Sequence, residues 1–256
     1  MGVYIGTSGW SYDHWVDVLY PRTASSLERL DAYARAFHSV EVNNTFYRWP
    51  KDEVFTTWHD RLPQGFLVSA KASKGLTQFR KLNDPQGWLD RTEAGMSRLR
   101  EKRGVLLCQL PPHFPRDLDR LDTFLGVVPE SQRVAVEFRH PSWDAEETYE
   151  VLARHGAAYC VTSGANLPCV LRATAGFVYV RLHGPDRQRM YAGSYPEDDL
   201  RWWADRIGEW EEQKRDVFTY FNNDEYGHAV RNALRLRELV GGRTKWPDPL
   251  DASPAV

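Results

Sequence analysis

Cysteine is scarce in this chain. The three that occur, Cys108, Cys160 and Cys169, are odd in number and form no CxxC pair or Cys/His ligand spacing. A disulfide framework and the usual zinc motifs are thereby excluded, and Cys108 and Cys160, set inside apolar runs, read as reduced structural residues. Long apolar runs are missing too: nothing approaches the ~18 residues of a membrane span. No basic stretch precedes the strand-like VYIG that begins at residue 3, so no secretory leader is expected, and MGVYIG lacks the Ser or Thr that a myristoylation signal needs at position 6. Neither sign of charge dominates. Lys and Arg number 33 against 35 Asp and Glu, a net charge of −2, which gives no global attraction to nucleic acid or an anionic membrane and leaves only a local basic site open. HxH and HExxH spacings, a GxSxG elbow and a GxGxxG after a strand are all absent, which weakens zinc-protease, serine-hydrolase and dinucleotide readings. A cytoplasmic protein without a cofactor is expected.

What the sequence does have is alternation. Short β-branched or aromatic runs recur at VYIGTS (3–8), SVEVN (39–43), FLVSAK (66–71), GVLLCQL (104–110), RVAVEFR (133–139), AAYCVTS (157–163), FVYVRLH (177–183) and DVFTYFN (216–222). Amphipathic segments separate most of them, including 26–37, 199–213 and 225–240, where Ala229, Ala233, Leu236 and Val240 share one helical face. Strands alternating with helices imply parallel βαβ units. Eight such units in 256 residues predict an α/β fold, a single (β/α)8 TIM-type barrel over residues 1–242. GANLPCVLRATAG (164–176) has too many breakers for a helix, which predicts an irregular or shortened sixth crossover. The Pro-rich segment 243–256 reads as a C-terminal tail.

Side chains alternate between the two faces of a strand. In VAVEFR the apolar Val134, Val136 and Phe138 suit the helix-facing side, which turns Ala135, Glu137 and Arg139 inward. The same split puts Glu41 and Asn43, Ser69 and Lys71, and Tyr179, Arg181 and His183 inside, with Gln109 and Asn222 at the last inward positions of strands four and eight. Six strands therefore become polar on their inner side toward the C-terminal end, where barrels of this kind build their active sites. A ring of ion pairs among Glu41, Glu137, Lys71, Arg139 and Arg181 is the structural alternative.

IGTSGWSYDHW, EVNNTFYRWP, LCQLPPHF, VAVEFRHPSW, FVYVRLHGP and VFTYFNNDEYGHAVRNA together closely resemble the YecE-like family, a set of bacterial and archaeal proteins grouped as a domain of unknown function. The motifs run in order over about residues 3–241. The resemblance implies a TIM-type barrel, names no reaction, and implies that Ser8, Gly9, Trp10, Glu41, Asn43, Asn44, Tyr47, Lys71, Gln109, Glu137, Arg139, His140, Trp143, Arg181, His183, Asn222 and Asn223 matter. Where many members carry Thr-His after the third strand this chain has Thr77-Gln78, so a histidine role there does not carry over.

The inward charges, Glu41 and Glu137 against Lys71, Arg139 and Arg181, make a neutral-to-cationic site suited to a small anionic ligand bearing phosphate or carboxylate. Too few carboxylates are available for a metal site, with Glu41, Glu137, His183 and Asp224 the only ligands to hand. Glu41, Glu137, Lys71 and His183 are the candidate catalytic groups, with Lys71 able to act as nucleophile or proton shuttle if desolvated. Ser8, Trp10, Asn43, Asn44, Tyr47, Gln109, Arg139, His140, Trp143, Arg181, Asn222 and Asn223 are candidate substrate contacts. The aromatics Trp10, Trp15, Tyr47, Trp49 and Trp143 either stack on a sugar or base or roof the barrel. An enzyme acting on a phosphorylated, carboxylated or nucleic-acid substrate, a metal-dependent nuclease-like barrel, and a non-catalytic binder or scaffold all stay open.

Overall fold

All eight apolar runs are strands in the computed structural model, which describes residues 2–241. They are β1 (Val3–Thr7), β2 (Ser39–Val42), β3 (Leu67–Lys71), β4 (Arg103–Gln109), β5 (Val134–Glu137), β6 (Ala158–Ser163), β7 (Phe177–Leu182) and β8 (Asp216–Phe221). Each pairs in parallel with its neighbours in the order β1-β8-β7-β6-β5-β4-β3-β2. The remaining seam, between β1 and β2, closes through a bridge from Ser8 to Glu41, with the Gly9 amide donating to the Glu41 carbonyl at 2.7 Å. Below that bridge the Tyr33 hydroxyl spans the gap, accepting from the Thr7 amide at 2.9 Å and donating to the Ser39 carbonyl at 3.0 Å. Gly6 is required there: a Cβ at this position would lie 2.1 Å from the Ser39 carbonyl oxygen.

Helices cover the outside: α1 (Ser26–Ala36), α2 (Asn44–Tyr47), α3 (Asp52–Arg61), α4 (Gln86–Met96), α5 (Leu118–Gly126), α6 (Glu146–Arg154), α7 (Glu197–Glu212) and α8 (His228–Val240). No helix forms between β6 and β7. Asn166 takes a left-handed φ of 57° two residues before Pro168, and Thr174 ties the segment down by accepting from the Tyr159 amide and donating to the Ala157 carbonyl. The crossover is thus held by edge hydrogen bonds in place of helix packing. Val40, Val42, Val68, Ala70, Val134, Val136, Val178 and Val180 are buried in the layer shared with the helices. Leu67, Val105, Leu107, Ala135, Cys160, Tyr179, Phe218 and Tyr220 pack in a second cluster inside the barrel, as alternation along each strand requires. No helix among the described residues is long and apolar enough to cross a membrane. The predicted tail, 243–256, lies outside the described residues.

Candidate functional site

The inward polar residues meet at the C-terminal ends of the strands, in two layers. The lower layer is an ion-pair network whose centre is Arg181, on β7. Its Nη2 and Nε donate to Glu41 Oε1 at 2.7 and 3.1 Å, and its Nη1 donates to Glu137 Oε2 at 2.6 Å. All three side chains are fully buried. Glu41 also accepts from Ser8 Oγ at 2.6 Å and from the Tyr179 hydroxyl at 2.7 Å. Glu137 takes a further ion pair from Arg139, whose Nη2 lies 3.3 Å from His183 Nε2. His183 Nε2 is itself 3.5 Å from Glu137, and its Nδ1 lies 3.2 Å from the Asn222 amide nitrogen.

These contacts set the protonation states. Burial pushes the Glu137 carboxyl up, but the guanidiniums of Arg139 and Arg181 outweigh it and hold the group well below the usual carboxylate range. Burial carries His183 down to about 4 against the upward pull of Glu137, so its imidazole is neutral at pH 7. Fully bonded and fully buried, Glu137 and His183 are poorly placed to exchange protons with a substrate, which needs both reach and a pKa near the working pH. Their burial and pairing favour Lys71 over these two as the group that meets a ligand.

Lys71 is different. Among the described residues no carboxylate lies within ion-pair distance of it, so it stays outside the expected ring of ion pairs. Its ammonium lies instead 4.3 Å from the centre of the Phe46 ring. Thr45 Oγ1 lies within hydrogen-bond distance of the carbonyls of both Val42 and Lys71, at 2.8 and 2.7 Å, with its one proton to share between them, which seats α2 on the end of β3. Burial and the nearby Arg181 drive Lys71 down to about 8, against partial compensation from Glu137 and Glu41.

Lys71 aligns with Leu107 of β4, one inward step below Gln109, and follows Ser69, which aligns with Glu41, one step below Asn43. Asn43 Oδ1, Gln109 Oε1 and Trp10 Nε1 are all buried without a hydrogen-bond partner among the described residues. β2 ends at Val42, and Asn43 already has helical dihedrals, so its side chain reaches the upper layer from a turn and not from the predicted strand. Other partnerless buried atoms, such as those of Trp15 and Thr148, are scattered. Asn43 and Gln109 follow, by one inward step, the residues of β2 and β4 that align with Ser69 and Lys71 of β3.

The remaining candidates separate cleanly. Asn44 and Tyr47 line a cleft of about 440 Å³ shared with Gly9, Trp10, Tyr12 and Asn43, and also a second of about 620 Å³ with Arg48, Lys51 and Arg91. Trp143 is buried, stacks on Phe138 and donates its indole N–H to the Phe114 carbonyl. It is packed over the end of the barrel. Trp15 and Trp49 are likewise buried in the core. His140 uses Nδ1 to cap the turn Pro141–Trp143 through the Ser142 amide. Asn223 points out of the barrel and donates to Gly193 and Asn232, holding the loop after β7. Asp224 lines a different cleft, 3.6 Å from His14. No three His, Cys, Asp or Glu side chains among the described residues come together as a metal site.

Sequence reasoning missed Phe46 and Gln78. Gln78 sits in a π-helical turn, Gly75–Phe79, and donates to the Gln109 carbonyl at 2.7 Å, where relatives were read as carrying histidine. The turn type that aims it inward leaves no simple sequence signature, although π-turns concentrate at functional sites.

A parallel eight-stranded barrel with a polar C-terminal mouth defines a TIM-type α/β protein. Residues 4–255 match the family described as "Protein of unknown function DUF72"; the chain belongs to that family. It is similar to YunF of Bacillus subtilis, 28% identical over 93% of this chain and 94% of that protein. YecE of Escherichia coli K12 is 31% identical over 60% of this chain and 54% of its own length. A DUF72 crystal structure from Thermotoga maritima superposes with a TM-score of 0.83 at 28% identity, covering 94% of this chain and 99% of that one.

Proposed function

We propose that the protein is an enzyme that binds a small hydroxylated anion, phosphate- or carboxylate-bearing, at the β1–β4 side of the mouth, with Lys71 as anion anchor and proton-transfer group. The observation that carries this reading is the Lys71 ammonium, half-buried and with no carboxylate within ion-pair distance among the described residues, beside Glu41, Glu137, Arg139 and Arg181, which pair with one another. Even a half-buried cation without a counterion loses hydration that a ligand's negative charge can replace. Asn43 Oδ1 and Gln109 Oε1 offer acceptors for ligand hydroxyls, and Trp10 Nε1 offers a donor. With a pKa of about 8, Lys71 is charged enough at pH 7 to hold an anion and labile enough to give up a proton. A non-catalytic binder would use the same seat, and a metal-dependent phosphodiesterase has no ligand cluster among the described residues to support it.

Melting temperature with and without phosphate, sulfate, carboxylates and sugar phosphates tests the reading. A ligand at about a hundred times its Kd adds about 2.7 kcal/mol, or about 5 °C for a chain of this size. The rise should fade as pH passes 8, because only the ammonium attracts an anion, and vanish in Lys71→Met. No anion-dependent rise in the wild type across this set would sink it.

A further inference from the structure

The loops after β2 and β3 form a rim with a character unlike the rest of the chain. VNNTFYRWPK (42–51) and KASKGLTQFRKLN (71–83) carry Arg48, Lys51, Lys71, Lys74, Arg80 and Lys81, and neither Asp nor Glu. Among the described residues only Arg80 of these six has an ion-pair partner, Asp84 at 3.5 Å. Arginines elsewhere, such as Arg61, Arg103, Arg154 and Arg235, are paired with carboxylates. The net charge of −2 hides this local excess.

Two aromatic rings stand out of the same rim, Tyr47 at 72% and Phe79 at 73% exposure. The Lys74 ammonium lies between them, 5.9 Å from the first ring centre and 5.8 Å from the second. Rings this exposed gain nothing from the protein's own core. Phe79 ends the π-helical turn, which packs so closely on Trp88 that a Cβ at Gly75 would lie 2.1 Å from the indole. Lys81, Leu82 and Asp84 just beyond it all take left-handed backbone conformations, with φ of 49°, 70° and 45°. Strain of this kind clusters where a function retains it. Tyr47 forms the shared wall of the two clefts, one carrying Arg48, Lys51 and Arg91, the other Trp10 and Asn43.

We propose that this rim binds single-stranded nucleic acid, bases stacking on Tyr47 and Phe79 and phosphates following Arg48, Lys51, Arg91 and Lys74. Cations interleaved with exposed rings are what a single strand recognises, because its bases are free to stack while its backbone needs neutralising. A duplex keeps its bases stacked on one another and would leave both rings unused. Tyr47, Phe79, Arg48, Lys51, Lys74 and Arg91 are not the groups assigned to the small anion, although Tyr47's cleft also holds Trp10 and Asn43, so single-strand binding is read apart from that seat.

Fluorescence anisotropy of the full chain with labelled oligo-dT and oligo-U of about twelve nucleotides, and with a duplex of equal length, tests this. Both single strands are expected to bind more tightly than the duplex, with a log–log salt slope of about −2 to −3 from three or four phosphates. Tyr47→Ala and Phe79→Ala should each weaken binding about tenfold without changing that slope. Replacing both Arg48 and Lys51 by Ala should reduce the slope by about 1.4. Both rings are exposed, so these variants fold, and melting curves with phosphate report the Lys71 seat separately. No binding at low salt overturns the proposal. So does equal affinity for duplex, or indifference to loss of both rings, which would leave only nonspecific polyanion contact.

Discussion

The floor of the mouth and the strand ends around Lys71 both turn polar side chains inward, to opposite effect. On the floor, Glu41, Glu137, Arg139 and Arg181 satisfy one another and exclude solvent. Beside it, Lys71 has no ion-pair partner, and Asn43 Oδ1 and Gln109 Oε1 have no hydrogen-bond partner, among the described residues. Each buried polar atom left so costs about 1–3 kcal/mol, a penalty the floor avoids. The contrast teaches that inward polarity alone does not mark a site. Paired charges fix the shape of the barrel, and the unpaired ones beside them are what a ligand can complete.

The largest test strikes the floor. Arg181→Met removes the cation shared by two buried carboxylates and leaves Glu41 with no ion-pair partner among the described residues, and removing one partner of a buried ion pair costs about 3–5 kcal/mol. Urea denaturation of this variant should show at least that loss. A loss under about 1 kcal/mol would mean that the floor is not what holds the strand ends, and the comparison would fail.

Acid titration probes the same layer. His183 sits at about 4 in the folded protein against about 6.5 unfolded, so the unfolded state binds more protons as pH falls below 6.5. Stability is then lost through the window from 6.5 to 4, by about 2 kcal/mol at pH 5. Glu137, held low, adds a further loss below the unfolded carboxylate value of about 4.3. Denaturation at pH 7, 6 and 5 should show the first limb in the wild type and lose it in His183→Gln.

Lys71→Met should do the reverse of Arg181→Met. Lys71 is depressed from 10.5 to about 8, so the unfolded chain binds more protons between those values and stability rises with pH across that window. Below pH 8 the cost of burying the ammonium is fully present. Met keeps the volume without the charge, so the variant should gain about 1–2 kcal/mol at pH 7, and its stability should stay flat from pH 8 to 10. A destabilised variant would assign Lys71 to the structural network after all.

The fold was legible because two periods carry it: alternation in VAVE and FVYVRL, and helical spacing in NALRLRELV. The broken crossover was legible because Pro168 and Gly176 leave no room for a helix. The same alternation placed Glu41, Glu137, Lys71, Arg181 and His183 inside. What it could not convey was pairing, because whether an inward lysine meets a glutamate depends on strand register and stagger around the barrel, which no local pattern encodes. The orientation of Trp143 and Asn223 was not legible for a related reason. Their motifs lie at strand ends, but their side chains turn away from the mouth toward Phe114 and Asn232. The basic rim was hidden by the near-neutral total, and only the positions of Lys74, Tyr47 and Phe79 bring it out.

The smallest effect distinguishes the two regions most finely. Gln109 ends β4 beside Glu137, and its backbone carbonyl accepts from Gln78 while its own Oε1 accepts from nothing among the described residues. Gln109→Met leaves the backbone bond intact and removes a buried acceptor, so it should be neutral or stabilising by a few tenths of a kcal/mol to about 1 kcal/mol. Were Gln109 part of the floor, the same change would strand a donor and cost about 1–3 kcal/mol. Urea denaturation separates these signs. If the residue instead serves the ligand, Gln109→Met keeps that stability yet shrinks the phosphate-dependent rise in Tm, because the acceptor it offered to a ligand hydroxyl has gone. A variant that loses stability while its response to phosphate is unchanged would move Gln109 to the structural side and leave Lys71 and Asn43 to define the open one.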